Sequence, residues 1–186
     1  AVVAAAKILG RSIKWTEDRR EYFTNTVHER DQYWQLEIAV DADAKVQGIR
    51  GRLLHDTGAY TLQDPNIPYN STSTMSGPYI VPGLSIDVTI ALTNKTPVSS
   101  VRGAGYPQAA FAMERLLDLV AREMKLDRAE VRRRNLIPAS KMPYKKPLKA
   151  RSGAAMEYDS GDYPACHAEA LGAAGWGHLP RPHGSA

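Results

Sequence analysis

The sequence predicts an α+β fold, antiparallel strands with helices packed on one face, and three observations carry that prediction. Apolar residues recur at three- and four-residue steps from Tyr106 onward, which marks one face of a helix. Apolar and polar residues alternate over residues 33–40 and 86–90, as in half-buried strands. Asp41-Ala42-Asp43-Ala44 supplies turn chemistry between two strand-like runs, which calls for a hairpin.

In chain order, residues 1–10 read as a helix, with Ala4, Ala5, Ile8 and Leu9 on one face and Gly10 as terminator. Residues 12–15 are a short strand candidate, and Arg19, Arg20 and Glu21 a structural ion-pair cluster. In residues 33–40, Trp34, Leu36, Ile38 and Val40 point one way and Tyr33, Gln35 and Glu37 the other. Residues 46–54 return as the second strand, and Gly58 marks a bend. Residues 61–75, polar and carrying Pro65 and Pro68, read as an irregular loop. Ile86, Val88 and Ile90 define another strand, and Thr93 to Pro97 a turn.

The helix from Tyr106 buries Ala109, Ala112, Met113, Leu116, Leu117 and Val120, tolerates Pro107 in its first turn and fades near Lys125. Asp127 followed by Glu130 reads as a capping box opening a second helix, which Pro138 stops. Arg132, Arg133 and Arg134 suit that helix's C-terminal end and read as a solvated face. Lys141, Lys145, Lys146 and Lys149, mixed with Pro143 and Pro147, read as an exposed linker. Residues 167–174 follow as a short helix, and the residues after Trp176 as a disordered tail.

Composition sets bounds. The 186 residues are enough for one modest domain, and 43% hydrophobic with 24% charged residues is ordinary for a globular chain. A net charge of +4 permits an acidic partner without demanding one. The single cysteine, Cys166, excludes a disulfide framework and a Cys-rich iron–sulfur site. No apolar run is long enough to cross a membrane. No basic stretch precedes the apolar start, so no signal peptide is read and the cytoplasm is the expected compartment. The missing initial Met is taken as a sign of processing or trimming. His28 and His55 stand apart from other ligand types, and His178 and His183 fall in the tail, so no metal site is expected. The arginine run and lysine-rich stretch lack aromatic interleaving, which argues against a nucleic-acid module.

The chemistry concentrates in Arg102-Gly103-Ala104-Gly105, between a strand end and the long helix. Small residues there leave backbone N–H groups open to an anion or an oxygen-rich cofactor. From these four residues alone, a plain strand-to-helix turn is the favoured reading.

The ordered pattern V-R-G-A-G-x-P-Q, then M-E-R, L-D, A-R-E and L-D-x-A-E-V-R-R-R-N-L-I-P resembles the large, molybdopterin-binding subunit of the molybdenum hydroxylases. Xanthine dehydrogenases, aldehyde oxidases and aerobic carbon monoxide dehydrogenases belong to that family. K-W-T-E-D-R-R-E, H-D-T-G-A-Y, M-S-G-P-Y-I-V-P-G and Y-D-S-G-D-Y extend the likeness from about Ala4 to Trp176.

The resemblance implies a fragment of a hydroxylase that oxidises an aldehyde, an N-heterocycle or another small molecule with oxygen from water. Residues 1–140 would be part of its molybdopterin-binding domain, and 141–186 a basic, Pro-rich linker, a short helix and a tail. It implies a molybdenum–molybdopterin cofactor shared with portions of the subunit absent here, and iron–sulfur and FAD groups on partner subunits. Arg102, Gly103, Ala104 and Gly105 would bind the cofactor, with the Arg102 N–H directed at a metal ligand. Asn70 and Ala104 would contact substrate, Asn70 standing where xanthine enzymes carry an arginine. Ala104 replaces their phenylalanine, which argues against a purine. Gly103 replaces the copper-binding cysteine of carbon monoxide dehydrogenases, which argues against copper-dependent CO oxidation. The family's glutamate base lies past Trp176, and Glu114, Glu123 and Glu130 are not substitutes. No catalytic residue is therefore assigned, and the chain alone is expected to be inactive. The alternative is a scaffold or assembly domain that keeps the fold without the chemistry.

Overall fold

A computed structural model describes residues 1–62, 66–150 and 152–179. Helices α1 (Val2–Leu9) and α2 (Arg19–Asn25) precede a hairpin of β1 (Gln32–Val40) and β2 (Val46–Gly58). Helix α3 (Asn66–Thr74), strand β3 (Leu84–Leu92), helices α4 (Tyr106–Met124) and α5 (Arg128–Asn135), strands β4 (Tyr144–Lys149) and β5 (Ala155–Tyr158) and helix α6 (Tyr163–Ala173) follow. The core forms where the α4 stripe, Ala109, Ala112, Met113, Leu116, Leu117 and Val120, packs with Val46, Ile49, Met75 and Val81; Trp34, Leu36, Ile38 and Val40 of β1 close over it. Helices cover that one face of the sheet, as the periodicities require.

The α+β class and the α4 limits agree with expectation, and the pairing agrees in part. β1 and β2 are antiparallel, as are β4 and β5, but β3 runs parallel to β2. A parallel neighbour needs a long crossover, and residues 59–83 supply it. The turn before β2 places Ala44 at φ 60. Asn135 of α5 secures it: its Nδ2 donates to Ala44 O at 2.8 Å and its Oδ1 accepts from Val46 N–H at 2.8 Å.

Residues 12–15 form no strand. Arg19, Arg20 and Glu21 do not pair. Asp18 and Glu21 instead form a capping box that opens α2, and Arg19 stacks over Tyr22 and Phe23. The expected loop at residues 61–75 contains α3, whose Ser and Thr hydroxyls turn back onto its own carbonyls: Ser71 to Ile67, Thr72 to Pro68 and Thr74 to Asn70. Residues 63–65, with Pro65, lie outside the described residues. Helix α1 forms as expected but buries none of its residues.

The arginine run is not simply a solvated face. Arg132 holds Glu114 at 2.6 Å and Asp118 at 2.9 Å, while Arg133 and Arg134 clasp Glu130. The hydrogen bonds from Arg133 and then Arg134 hold the Glu130 carboxyl down at about 2, against a smaller opposing effect of burial. Asp127 caps α5 by accepting from the N–H groups of Ala129 and Glu130. Of the expected tail, residues 176–178 form a 3-10 turn with Trp176 against Asp127 and Arg128. His183 lies outside the described residues.

The expected linker at residues 141–149 is largely strand β4, and its Lys146 is only 6% exposed. Lys146 Nζ donates to Ser76 Oγ at 2.8 Å and Gly77 O at 2.7 Å, and sits 4.2 Å from the Tyr158 ring centre. Burial penalises its charge and brings it down to about 8 from 10.5. Between those values the unfolded chain binds the proton and the folded chain does not. Stability is therefore expected to rise as pH rises from about 8 toward 10.5, the cost of the buried charge being full below that window. Lys146→Met should remove this slope. Urea unfolding of both chains at pH 8 and 9.5 checks it, and equal slopes would show that the ammonium is fully compensated.

Candidate functional site

The 102–105 segment is a tight turn between the β-bridge at Val98 and the first turn of α4. Its backbone is left-handed at three successive residues, Gly103 at φ 107, Ala104 at φ 33 and Gly105 at φ 100. Such conformations suit glycine and strain alanine.

All four carbonyl oxygens of the turn are engaged by the protein. Arg30 Nη2 donates to Arg102 O at 3.3 Å and Tyr106 N–H to Gly103 O at 2.8 Å. Asn70 Nδ2 donates to Ala104 O at 2.9 Å, and Ser71 Oγ reaches Gly105 O at 3.1 Å. Ser71 is itself fully buried and accepts from Gln32 Nε2 at 3.0 Å. The donors behave otherwise. Ala104 N–H is taken by Val101 O, but the N–H groups of Arg102, Gly103 and Gly105 find no hydrogen-bond partner among the described residues. The turn is thus fastened by its acceptors, which leaves a local excess of backbone donors, the polarity that receives an anionic or oxygen-rich group.

The two glycines differ in what they allow. A Cβ on Gly103 would meet only the ring of Pro107, at 3.0 Å and 3.1 Å. A Cβ on Gly105 would lie 2.4 Å from Ile67 O and 2.9 Å from Ser71 N. Gly105 therefore permits α3 and α4 to approach each other, and only Gly103 keeps the turn open. The close approach of α3 is thus a reason for glycine at 105 that the sequence reading did not give. Asn70 and Ala104, each expected as a substrate contact, are brought together: the Asn70 amide holds the Ala104 carbonyl. Glu114 binds Tyr79 OH at 2.8 Å and Arg132, Glu123 lies beside Arg122, and Glu130 serves α5. None of the three stands at the turn. Burial first, then the Glu114 carboxylate, pushes the Tyr79 phenol well above its usual range.

Three residues at this turn escaped the sequence reading. Ser71 lay in a segment taken for a loop. Gln108 stands inside the V-R-G-A-G-x-P-Q pattern but carried no role. Arg30 gave no local signal. Beside them, His28, Glu29, Arg30, Asp31, Lys95, Thr96 and Val98 line a hollow of about 540 Å³. Among the described residues no group of three or more His, Cys, Asp or Glu side chains converges to hold a metal ion, and no helix is long and apolar enough to cross a membrane.

A mixed sheet under one long helix, with a donor-rich Gly turn at that helix's entrance, is an α+β domain. The comparisons make the class specific: residues 1–136 match the molybdopterin cofactor-binding domain, and the chain belongs to that family. It is 39% identical over 171 residues to the gamma subunit of the 6-hydroxypseudooxynicotine dehydrogenase complex of Paenarthrobacter nicotinovorans, covering 91% of this chain and 21% of that one. It is 33% identical to the carbon monoxide dehydrogenase large chain of Hydrogenophaga pseudoflava, over 87% of this chain and 20% of the other. The structure of reconstituted CO dehydrogenase from Oligotropha carboxidovorans superposes with a TM-score of 0.83 at 31% identity, covering 96% of this chain and 22% of that one. Quinoline 2-oxidoreductase from Pseudomonas putida 86 gives 0.81 at 27% identity. The chain spans about a fifth of the length of the curated relatives it matches.

Proposed function

We propose that this chain supplies one wall of the molybdenum site in a molybdenum-dependent hydroxylase. The observation that carries the reading is the spent acceptors and unspent donors of the turn: all four carbonyls of Arg102, Gly103, Ala104 and Gly105 are engaged, while the N–H groups of Arg102, Gly103 and Gly105 stay available to a bound group. A molybdenum–molybdopterin cofactor fits that polarity, since its oxygen, sulfur and phosphate atoms accept hydrogen bonds. When bound, it supplies hydroxylation with oxygen from water and takes up the electrons. The residues of this chain do the rest. The Arg102 and Gly103 amides orient the group, Asn70 holds Ala104 in its strained conformation, and Ala104 presents a methyl group where a bulkier side chain would narrow the substrate space.

An aldehyde or N-heterocycle of small size is the substrate class this opening suits. The reading includes partner subunits carrying iron–sulfur clusters and FAD, in keeping with relatives named as subunits of complexes. The scaffold alternative keeps one observation in its favour: no acidic side chain among Glu114, Glu123 and Glu130 reaches the turn. The test is metal analysis of the full-length protein with its partner subunits, followed by dye reduction with aldehydes and N-heterocycles. Near-stoichiometric molybdenum with substrate-dependent reduction is expected. Absence of molybdenum from a folded complex would leave only the scaffold.

A further inference from the structure

Arg30 concentrates several unfavourable features at one place. It is a non-glycine residue at φ 81. Its neighbour Glu29 has a side chain only 2% exposed, lying 2.9 Å from Arg30 Nη2, and neither Glu29 oxygen accepts a hydrogen bond among the described residues. Gln108, 9% exposed, accepts from Arg30 Nη1 at 3.4 Å, while its own Nε2 is buried without a partner. A left-handed arginine, a poorly solvated carboxylate and an unpaired amide each cost stability. A cluster shaped by stability alone would not gather all three.

What the cluster touches explains it. The 28–30 segment is laced to the strand that enters the turn: His28 N–H donates to Pro97 O at 3.1 Å, and Ser99 N–H to His28 O at 2.9 Å. With His28 beside Val98 in a parallel bridge, this brings Arg30 alongside Ser100, two residues before Arg102. From there the guanidinium reaches both ends of the turn, Arg102 O before it and Gln108 Oε1 in the first turn of α4. Only a planar fork with several fixed N–H directions can hold two such acceptors at once. Of the four fastened carbonyls, Arg102 O is the one bound by a side chain from outside α3 and α4.

We propose that Arg30 is a positioning residue: paired with the Glu29 carboxylate and steered by Gln108, it holds Arg102 O and with it the Arg102–Gly103 peptide plane, so that the Gly103 amide faces outward. This rests on the molybdenum-site reading for its purpose, but the restraint itself is testable without it. Hydrogen–deuterium exchange of the full-length protein should show the 101–105 segment exchanging at least tenfold faster in Arg30→Gly, read at Ala104, the one amide of the turn hydrogen-bonded among the described residues, with β2 unchanged. Glycine keeps the left-handed backbone and removes the fork together with the counter-charge of Glu29. Arg30→Gln, too short to span both acceptors, should do the same and serves if Arg30→Gly does not fold. In the holoenzyme, the Mo(V) electron paramagnetic resonance signal should shift and kcat should fall more than tenfold with KM little changed. Unchanged exchange at 101–105, or faster exchange spread evenly over β2, would overturn the proposal. Faster local exchange in a protein that carries no molybdenum would uphold the restraint while sinking the molybdenum-site reading.

Discussion

Gly105→Ala is expected to separate α3 from α4 and to cost roughly 2–6 kcal/mol, combining left-handed strain with overpacking against backbone. The added Cβ would lie 2.4 Å from Ile67 O and 2.9 Å from both Ser71 N and Ser71 Oγ. Two of these are main-chain atoms within a helix and cannot swing aside. Moving α3 also withdraws Asn70 from Ala104 O and Ser71 from Gly105 O, which frees Ala104 O and leaves Gly105 O on the Ala109 N–H alone. Gly103→Ala makes the contrast. Its Cβ meets only the Pro107 ring, from 3.0 Å, at a similarly left-handed φ of 107. It should lose clearly less stability than Gly105→Ala. Urea unfolding of both variants decides the matter, and equal losses would mean that the close approach of α3 is not what demands glycine at position 105.

Leu117→Ala should destabilise the chain by about 2–5 kcal/mol, because a fully buried leucine leaves a cavity that its neighbours only partly fill. Leu117 is 0% exposed in the middle of α4, within the cluster that joins the helix to the hairpin. Leu119 on the same helix is 37% exposed, and Leu119→Ala should cost about 1 kcal/mol or less. Denaturant midpoints of the two variants provide the check. A loss at Leu117 no larger than at Leu119 would show that the stripe is completed by another part of the protein instead of by this sheet.

Helix α4 and the β1–β2 hairpin were legible because their signals are local. An apolar stripe at helical steps and an alternation of period two need no knowledge of the partner surface. Pro107, Lys125 and Asp127 mark the helix ends by equally local chemistry. Helix α3 was not legible, since N-I-P-Y-N-S-T-S-T has weak helix propensity and two neighbouring prolines. It is helical because Ile67, Pro68 and Ser71 are buried beneath the turn that opens α4. Lys146 shows the same limit: among four lysines and two prolines it reads as solvated, and only the Ser76, Gly77 and Tyr158 contacts bury it.

The motif singled out the turn at 102–105 and named Asn70 and Ala104 as separate substrate contacts, but it treated Gly103 and Gly105 alike and gave no sign that the Asn70 amide holds the Ala104 carbonyl. Local sequence carries the period of a helix, the alternation of a strand and the identity of a small-residue turn, because each depends on neighbours a few positions away. The parallel docking of β3, the folding of α3 and the meeting of Arg30 with Arg102 across 72 positions were decided by the tertiary structure. Each of those depends on burial and hydrogen bonds between segments that meet only once the chain has closed.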